Sequence, residues 1–248
     1  MAGCGGGSTQ PTQSTPPTQP GASAPAKHHY LVAALGDSIT AGSPQWDPHA
    51  AIRRQLGTRP NPESQYEYWA KKALPAGVSF RNCGVFGETT AQIAARLRTC
   101  ARGADAVIVQ GGINDIAQAL RRSSEGPVVA EAARNLERMV REGKRLGLEV
   151  LLANVLPWNN GHPQADPAIA SLNRRVVEIG RAEDVPALPF HGTLEGPPGS
   201  GLMRSDLTSE GDHPSIAGYA LLGQRAVAPA LRRALAGAPP REAHQPRR

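Results

Sequence analysis

Apolar and polar positions follow two different periods along the chain. Segments of strand length predict strands over residues 30–35, 78–82, 106–110, 149–154 and 187–190, of which 30–35 and 106–110 are apolar runs. Helices are predicted between these segments, over residues 63–74, 90–99, 128–146, 166–181 and 215–235. Asp166 and Pro167 give the fourth helix an N-cap and a proline in its first turn. Because strands alternate with helices, the sequence predicts an α/β fold with a mostly parallel sheet and helices on both faces.

Both ends of the chain lack this pattern. Residues 1–27 consist mainly of Gly, Ser, Thr, Pro and Gln, which leaves too few apolar side chains for packing, so they are predicted to form a disordered linker. The basic segment 237–248 is predicted to be a disordered tail. The 248-residue chain therefore contains one sizeable predicted domain, over residues 28–236.

The sequence around Cys4 is similar to the junction of a bacterial lipoprotein, where a cysteine in front of a flexible tether is acylated. We therefore expect an exported protein of the periplasm or cell envelope, attached to a membrane through a lipid on Cys4. The charged and apolar segments of a signal peptide are missing before Cys4, so a cytoplasmic location stays open as the alternative. Cys83 and Cys100 could pair if the protein is exported, but we interpret them as buried apolar residues.

The net charge of +6 at pH 7 changes this picture little. Basic residues are scattered along the chain and aromatic residues make up only 4% of it, so we expect solvated helix faces and no nucleic-acid partner. No apolar run reaches the length of about 18 residues that predicts a membrane span. His28, His29, His49, His162 and His191 lack the spacing of metal ligands, and no phosphate-loop or dinucleotide motif is present, so we expect neither a metal nor a nucleotide cofactor.

Residues of types found in catalytic sites lie at the ends of the first three predicted strands. The first strand is followed by Asp37 and Ser38, the second by Asn82 and Gly87, and the third by Asn114 and Asp115. The carboxyl ends of parallel strands share one edge of a sheet, so these residues are expected on the same rim. His213 precedes the last predicted helix, with Glu210 and Asp212 close to it in sequence. A serine, a histidine, a carboxylate and an amide on one rim are the groups that nucleophilic acyl transfer requires.

The segments GDS (36–38), NCGVFGETT (82–90), GGIND (111–115) and HPSIAGY (213–219) resemble, in this order, the motif blocks of the GDSL family, also called SGNH hydrolases. The resemblance extends over residues 31–223. It implies a flavodoxin-like three-layer α/β/α sandwich and a cofactor-free serine hydrolase, an esterase, lipase or acylhydrolase that cleaves small-molecule carboxylic esters. A carbohydrate acetylesterase or acyl thioesterase is the alternative, and a non-catalytic binding module is a third class, which the presence of all four motif residues disfavours.

Ser38 is the predicted nucleophile and His213 the base that takes its proton. The imidazole needs a carboxylate at its other nitrogen. The family normally has Asp three residues before the histidine, whereas this chain has Glu210 there, so Glu210 is our choice and Asp212 the alternative acid. The resemblance also implies an oxyanion hole made of the backbone amides of Ser38 and Gly87 and the side-chain amide of Asn114.

Three further residues of the motifs are expected to be structural: Asp37 to bond turn amides, Asn82 to fix the second loop, and Asp115 to cap the segment after it. The segments 43–62 and 158–166 are expected to form walls of a substrate pocket. Trp46, Trp158 and Phe86 are candidates to line an acyl or sugar pocket, with packing in the core as the alternative for each.

Overall fold

The computed structural model describes residues 1–3, 29–47, 49–122 and 125–237. Cys4 and its predicted lipid, nearly all of the predicted linker over residues 1–27, and all but the first residue of the predicted tail over 237–248 lie outside the described residues.

The predicted parallel sheet is confirmed. The described residues form five strands, β1 (Tyr30–Gly36), β2 (Val78–Gly84), β3 (Ala106–Val109), β4 (Glu149–Ala153) and β5 (Ala187–Leu188). They pair in the order β2-β1-β3-β4-β5, and every pair is parallel. This is the flavodoxin-like order, in which the chain switches direction across the sheet between β1 and β3. Ligands of such folds bind outside the carboxyl ends of the strands at that switch point.

The helices before β3 have at most eight residues, and the two longest described helices follow it. Those before β3 are α1 (Ser38–Ala41), α2 (Ala50–Gln55), α3 (Tyr66–Ala73), α4 (Thr90–Ala95) and α5 (Leu97–Cys100). Those after it are α6 (Ile113–Arg122), α7 (Glu125–Arg145), α8 (Asp166–Glu183), α9 (Phe190–Leu194), α10 (Ile216–Leu221) and α11 (Ala228–Gly237). Two 3-10 turns, Pro62–Ser64 and Asn159–Gly161, and a π-helical turn, Leu222–Val227, complete the described helical segments.

Alternate residues of each strand face opposite layers of helices, as the strand period of two requires. On one face, Ala33, Leu35, Val107 and Val109 pack against apolar residues of α4 to α8. On the other, Val32, Ala34, Ala106 and Ile108 pack against α3, α9 and the last helical segments. The central strands are buried on both sides, so the molecule is a three-layer sandwich whose carboxyl-end rim remains accessible.

Several predicted helices are interrupted, and four helices were missed. The segment 90–99 is split at Arg96 into α4 and α5, and the segment 215–235 contains the π-helical turn. The missed helices are α1, α2, α6 and α9, of which α2 buries no residue and so leaves no apolar stripe in the sequence. The N-cap of α8 is Ala165 without a side-chain cap, so the assignment of Asp166 as its N-cap was wrong.

Cys83 and Cys100 form a disulfide that joins the end of β2 to α5. Our interpretation of them as unpaired apolar residues was therefore wrong, although Cys100 is buried as expected. Among the helices that the structure describes, none has the length and apolar character needed to cross a membrane.

Candidate active site

Ser38 lies at the first position of α1, directly beyond the carboxyl end of β1. The turn brings Thr40 so close to Gly36 that a Cβ there would lie 2.3 Å from Thr40 Oγ1, so this position requires glycine. Asp37 caps α1, since its Oδ1 accepts a hydrogen bond of 2.9 Å from the N–H of Ile39. Asp37 therefore bonds a turn amide, as the sequence suggested.

A buried polar network supports this turn from below. Gln110 Oε1 accepts hydrogen bonds from the N–H of Asp37 (3.2 Å) and from Thr40 Oγ1 (2.8 Å). Burial raises the pKa of Asp37 to about 6, against the opposing effects of the Ile39 and Gln110 hydrogen bonds and of the charge of His213. Tyr219, on α10 shortly after His213, donates from its hydroxyl to the carbonyl of Ser43 (2.8 Å), which joins the segment that follows His213 to the segment just beyond α1.

The loop after β2 is held against α1. Asn82 Oδ1 accepts from the N–H of Gly84 (2.8 Å) and its Nδ2 donates to the carbonyl of Thr40 (2.6 Å), so Asn82 fixes this loop as expected. A Cβ on Gly84 would lie 2.0 Å from the nitrogen of Ala41, so only glycine permits this approach.

Gly87 lies at the exposed tip of the same loop, with a φ of +78°. A Cβ at this position would meet nothing within 4 Å, so glycine is favoured here by the left-handed backbone and not by a lack of space. Throughout the part of the chain that the structure describes, the N–H groups of Gly87 and Ser38 donate to no other protein group. Both donors are therefore available to a ligand.

The segment after β3 joins the same loop. Asn114, in the first turn of α6, donates from Nδ2 to the carbonyl of Glu88 (3.0 Å). Asp115 accepts from the N–H (2.9 Å) and the Oγ1 (2.8 Å) of Thr90. Asp115 was expected to cap the segment after it; it lies in the first turn of α6, and its carboxylate also caps the start of α4. Burial raises the pKa of Asp115, and the Thr90 hydrogen bonds oppose that rise.

His213 is buried, with only 6% of its surface exposed, and its Nδ1 is hydrogen-bonded to Glu210 Oε1. Asp212 faces elsewhere: its Oδ1 accepts from Trp158 Nε1 (2.6 Å) and Asn160 Nδ2 (2.8 Å). The structure thus pairs the imidazole with Glu210, and within the described residues Nε2 has no hydrogen-bond partner. Gly211, with a φ of +93°, turns the backbone between the two acids.

The imidazole also lies beside the loop that carries Gly87. The ring centroids of Phe86 and His213 are 5.9 Å apart, and Phe86 is partly exposed. Ser38 Oγ and His213 are not hydrogen-bonded to each other within the described residues.

Of the three candidate pocket aromatics, Trp158 is structural. Its indole N–H bonds Asp212 and its ring packs against the core, whereas Trp46 and Phe86 remain 37% exposed. The segment 43–62, expected to form a wall of a substrate pocket, contains α2. No group of three or more His, Cys, Asp or Glu side chains suited to a metal ion occurs among the described residues.

Sequence reasoning missed several polar residues that hold the rim together. Gln110, Asn160, Glu88 and Arg96 were given no role, yet each bonds a motif segment. Their partners lie up to 73 residues away in the chain, so no local pattern signals them.

Comparisons with known proteins agree with this architecture. The model of the GDSL-like Lipase/Acylhydrolase family matches residues 34–221. No curated protein matches the chain at a significant level. Among solved structures, a putative lipolytic protein of the G-D-S-L family from Desulfitobacterium hafniense DCB-2 is 20% identical with a TM-score of 0.62, covering 79% of this chain and 97% of its own.

A GDSL-like lipase from Bacteroides thetaiotaomicron VPI-5482 is 21% identical (TM-score 0.60, 86% of this chain and 90% of its own). An acetylxylan esterase from Geobacillus stearothermophilus is 20% identical (TM-score 0.63, 84% of this chain and 94% of its own), and catalytic mutants of it replace a serine or a histidine with alanine. These similarities show the fold. The family match covers most of the domain, and the chain therefore belongs to the GDSL-like Lipase/Acylhydrolase family.

Proposed function

We propose that this protein is a serine hydrolase that cleaves carboxylic esters, with Ser38 as nucleophile, His213 as general base and Glu210 as the acid that orients the imidazole. One observation carries the proposal: a buried histidine whose Nδ1 bonds a carboxylate packs beside Phe86, on the loop that is held against the helix beginning at Ser38. A hydroxyl is a weak nucleophile at neutral pH, and a base held in one tautomer is the device that activates it.

In this reaction Ser38 Oγ attacks the acyl carbon while His213 Nε2 takes the hydroxyl proton. The tetrahedral intermediate collapses, and the same proton passes from Nε2 to the departing alcohol. Water then loses a proton to Nε2 as it attacks the acyl-enzyme, and Ser38 regains a proton as the carboxylic acid leaves. Glu210 offsets the positive charge that the imidazole carries in both steps.

The negative oxygen of each intermediate needs preorganised donors. The unbonded N–H groups of Ser38 and Gly87 support their assignment to this role, together with Asn114 Nδ2, which retains a second hydrogen besides the one it donates to Glu88. The N–H of Ser38 also lies at the start of α1, where helix N–H groups are unpaired.

The test is hydrolysis of p-nitrophenyl acetate by the wild type and by Ser38→Ala. We expect the variant to lose at least about a thousandfold in kcat, because the remaining groups bind substrate without a nucleophile. Ser79→Ala, on β2 far from the rim, is the matched control and is expected to keep full activity. Comparable activity in the wild type and Ser38→Ala would refute the assignment.

A carbohydrate acetylesterase is the second candidate. The fold shared with an acetylxylan esterase and the exposed aromatic ring of Phe86 beside the imidazole support it, since aromatic faces suit sugar rings. Acetylated xylan, longer p-nitrophenyl esters and an acyl-CoA thioester distinguish the candidates: preference for the polysaccharide favours the deacetylase, and preference for long chains favours a lipase.

We also propose that the protein works in an oxidising compartment. The Cys83–Cys100 disulfide supports this, because such bonds persist outside the reducing cytoplasm. The lipid on Cys4 stays a prediction, which mass spectrometry of the protein from bacterial membranes would test.

A further inference from the structure

Arg96 lies where α4 ends and α5 begins, and its guanidinium reaches three separate segments of the rim. Nη1 donates to the carbonyl of Cys83 (2.7 Å), and Nη2 donates to the carbonyl of Gly36 (3.1 Å). Nε and Nη2 also bond the carboxylate of Glu88, at 2.8 and 2.5 Å from Oε2. One side chain therefore connects the end of β1, the end of β2 and the loop beyond β2.

Two of these contacts, to Gly36 and Glu88, lie close to proposed oxyanion-hole donors. Gly36 is two residues before Ser38, and its carbonyl also accepts from the N–H of Val85 (3.0 Å). Glu88 follows Gly87 directly, and its own carbonyl accepts from Asn114 Nδ2 (3.0 Å). The guanidinium of Arg96 thus holds the backbone segments that carry two of the donors, the N–H groups of Ser38 and Gly87. It also holds Glu88, whose carbonyl accepts from the third donor, Asn114 Nδ2.

We propose that Arg96, together with Glu88, is a positioning residue that sets the spacing of the oxyanion-hole donors; the proposal rests on the proposed function of the site. The loop that carries Gly87 is exposed at Phe86 and Gly87, and the left-handed glycine adds conformational freedom. Core packing does not fix this tip. Donors stabilise a developing oxyanion only when they are aimed before the reaction begins, so the loop needs an external support.

An arginine suits this task better than a lysine. The guanidinium is planar and presents several N–H donors in fixed directions, whereas an ammonium is a compact charge on a flexible stem. The side chains of Arg96 and Glu88 are only 27% and 15% exposed, so the pair is less screened than a surface ion pair. Replacing the arginine also removes donors from two backbone carbonyls.

The test compares Arg96→Lys with Arg98→Lys in the full chain. Arg98 lies two residues further on, is 71% exposed and pairs with Glu142 on α7, away from the rim, so it is the matched control. Active sites are counted by titration with a fluorophosphonate, and kcat for p-nitrophenyl acetate is expressed per titrated site. This normalisation removes any loss that arises from unfolded protein.

We expect Arg96→Lys to lower kcat per site by about ten- to a hundredfold with KM within about twofold, approaching the cost of losing one oxyanion donor. The second-order rate of phosphonylation should fall by a similar factor, because the phosphonyl oxygen occupies the same hole. Asn114→Ala provides the reference for removal of one donor. Equal kcat per site in Arg96→Lys and Arg98→Lys overturns the proposal.

If Arg96→Lys does not fold, the kcat per titrated site of Glu88→Gln tests the proposal. This change leaves the backbone carbonyl that Asn114 contacts and the two carbonyls that Arg96 contacts, and removes only the charged acceptor. A fall in kcat per site of at least about threefold supports the positioning role, and an unchanged value overturns it. Activity in Ser38→Ala comparable to the wild type overturns the proposed function itself, whereas a roughly thousandfold loss in Ser38→Ala beside a fully active Arg96→Lys overturns only the role of Arg96.

Discussion

The two acids near His213 show how one turn assigns different tasks to neighbouring carboxylates. Gly211 adopts a left-handed conformation, which directs Glu210 to the imidazole and Asp212 to Trp158 and Asn160. The extra methylene of Glu relative to the usual Asp is accommodated within this turn. The sequence left the choice open because the partners of Asp212 lie more than 50 residues away.

Glu210→Gln and Asp212→Asn separate these tasks. We expect Glu210→Gln to lower kcat by about a hundredfold or more, since a neutral amide neither offsets the imidazolium charge nor holds its tautomer. Asp212→Asn should stay within about threefold of the wild type, because its amide oxygen still accepts from both partners. Steady-state kinetics at pH 7.5 measures both, and an equal loss in the two variants would show that Asp212 shares the role of Glu210.

The strands and the rim were predictable, whereas the short helices were not. Apolar runs such as Ala106–Val109 are local signals, and parallel pairing then brings their carboxyl ends to one edge. The break at Arg96 has no local signal, because the side chain there bonds Gly36, 60 residues away. Helix α1 spans only four residues, beginning at the last residue of the GDS motif, and is too short for any periodicity.

The disulfide fastens α5 to β2 below the loop that carries Gly87. Replacing both Cys83 and Cys100 with Ser should lower the free energy of unfolding by about 3 kcal/mol, because the bridge closes a loop between residues 17 positions apart. Urea unfolding of the oxidised protein and the double variant measures the difference. Since Cys100 is buried, Cys83→Ala with Cys100→Ala checks that the loss does not come from a buried hydroxyl. Identical midpoints would exclude a stabilising bridge.

The three-layer sandwich encloses polar side chains whose burial no sequence pattern predicted. Between α1, α3 and the last helical segments lie Thr40, Tyr66, Glu67 and Tyr219, all buried, and they extend the network beneath Asp37. The topology and the motif residues follow from the sequence, because each depends on local patterns and strand order. The supporting network depends on pairs brought together only by packing of the whole chain, so it becomes visible only in the structure.

Glu67 makes the stability of the fold depend on pH. Its side chain is buried on α3, Oε1 accepts from Asn82 Nδ2 (2.9 Å), and Oε2 has no partner among the described residues. Burial raises its pKa from 4.5 to about 8, so the folded protein keeps this proton at neutral pH. The nearby phenols of Tyr66 and Tyr219 stay neutral, because burial raises their pKa values well above 10.

Between pH 4.5 and 8 the unfolded chain releases this proton and the folded protein retains it, so the free energy of unfolding falls as pH rises, by up to about 1.4 kcal/mol per pH unit. Asp37 acts in the same direction below about pH 6.

Glu67→Gln mimics the neutral acid and keeps the Asn82 contact. We expect it to match the wild type near pH 4.5 and to exceed its stability by about 2–4 kcal/mol at pH 8.5. Urea unfolding across this range measures the effect, and Glu149→Gln, at an exposed position, is the control. If the free energy of unfolding varies with pH in the same way in the wild type and in Glu67→Gln, Glu67 is ionised in the folded protein.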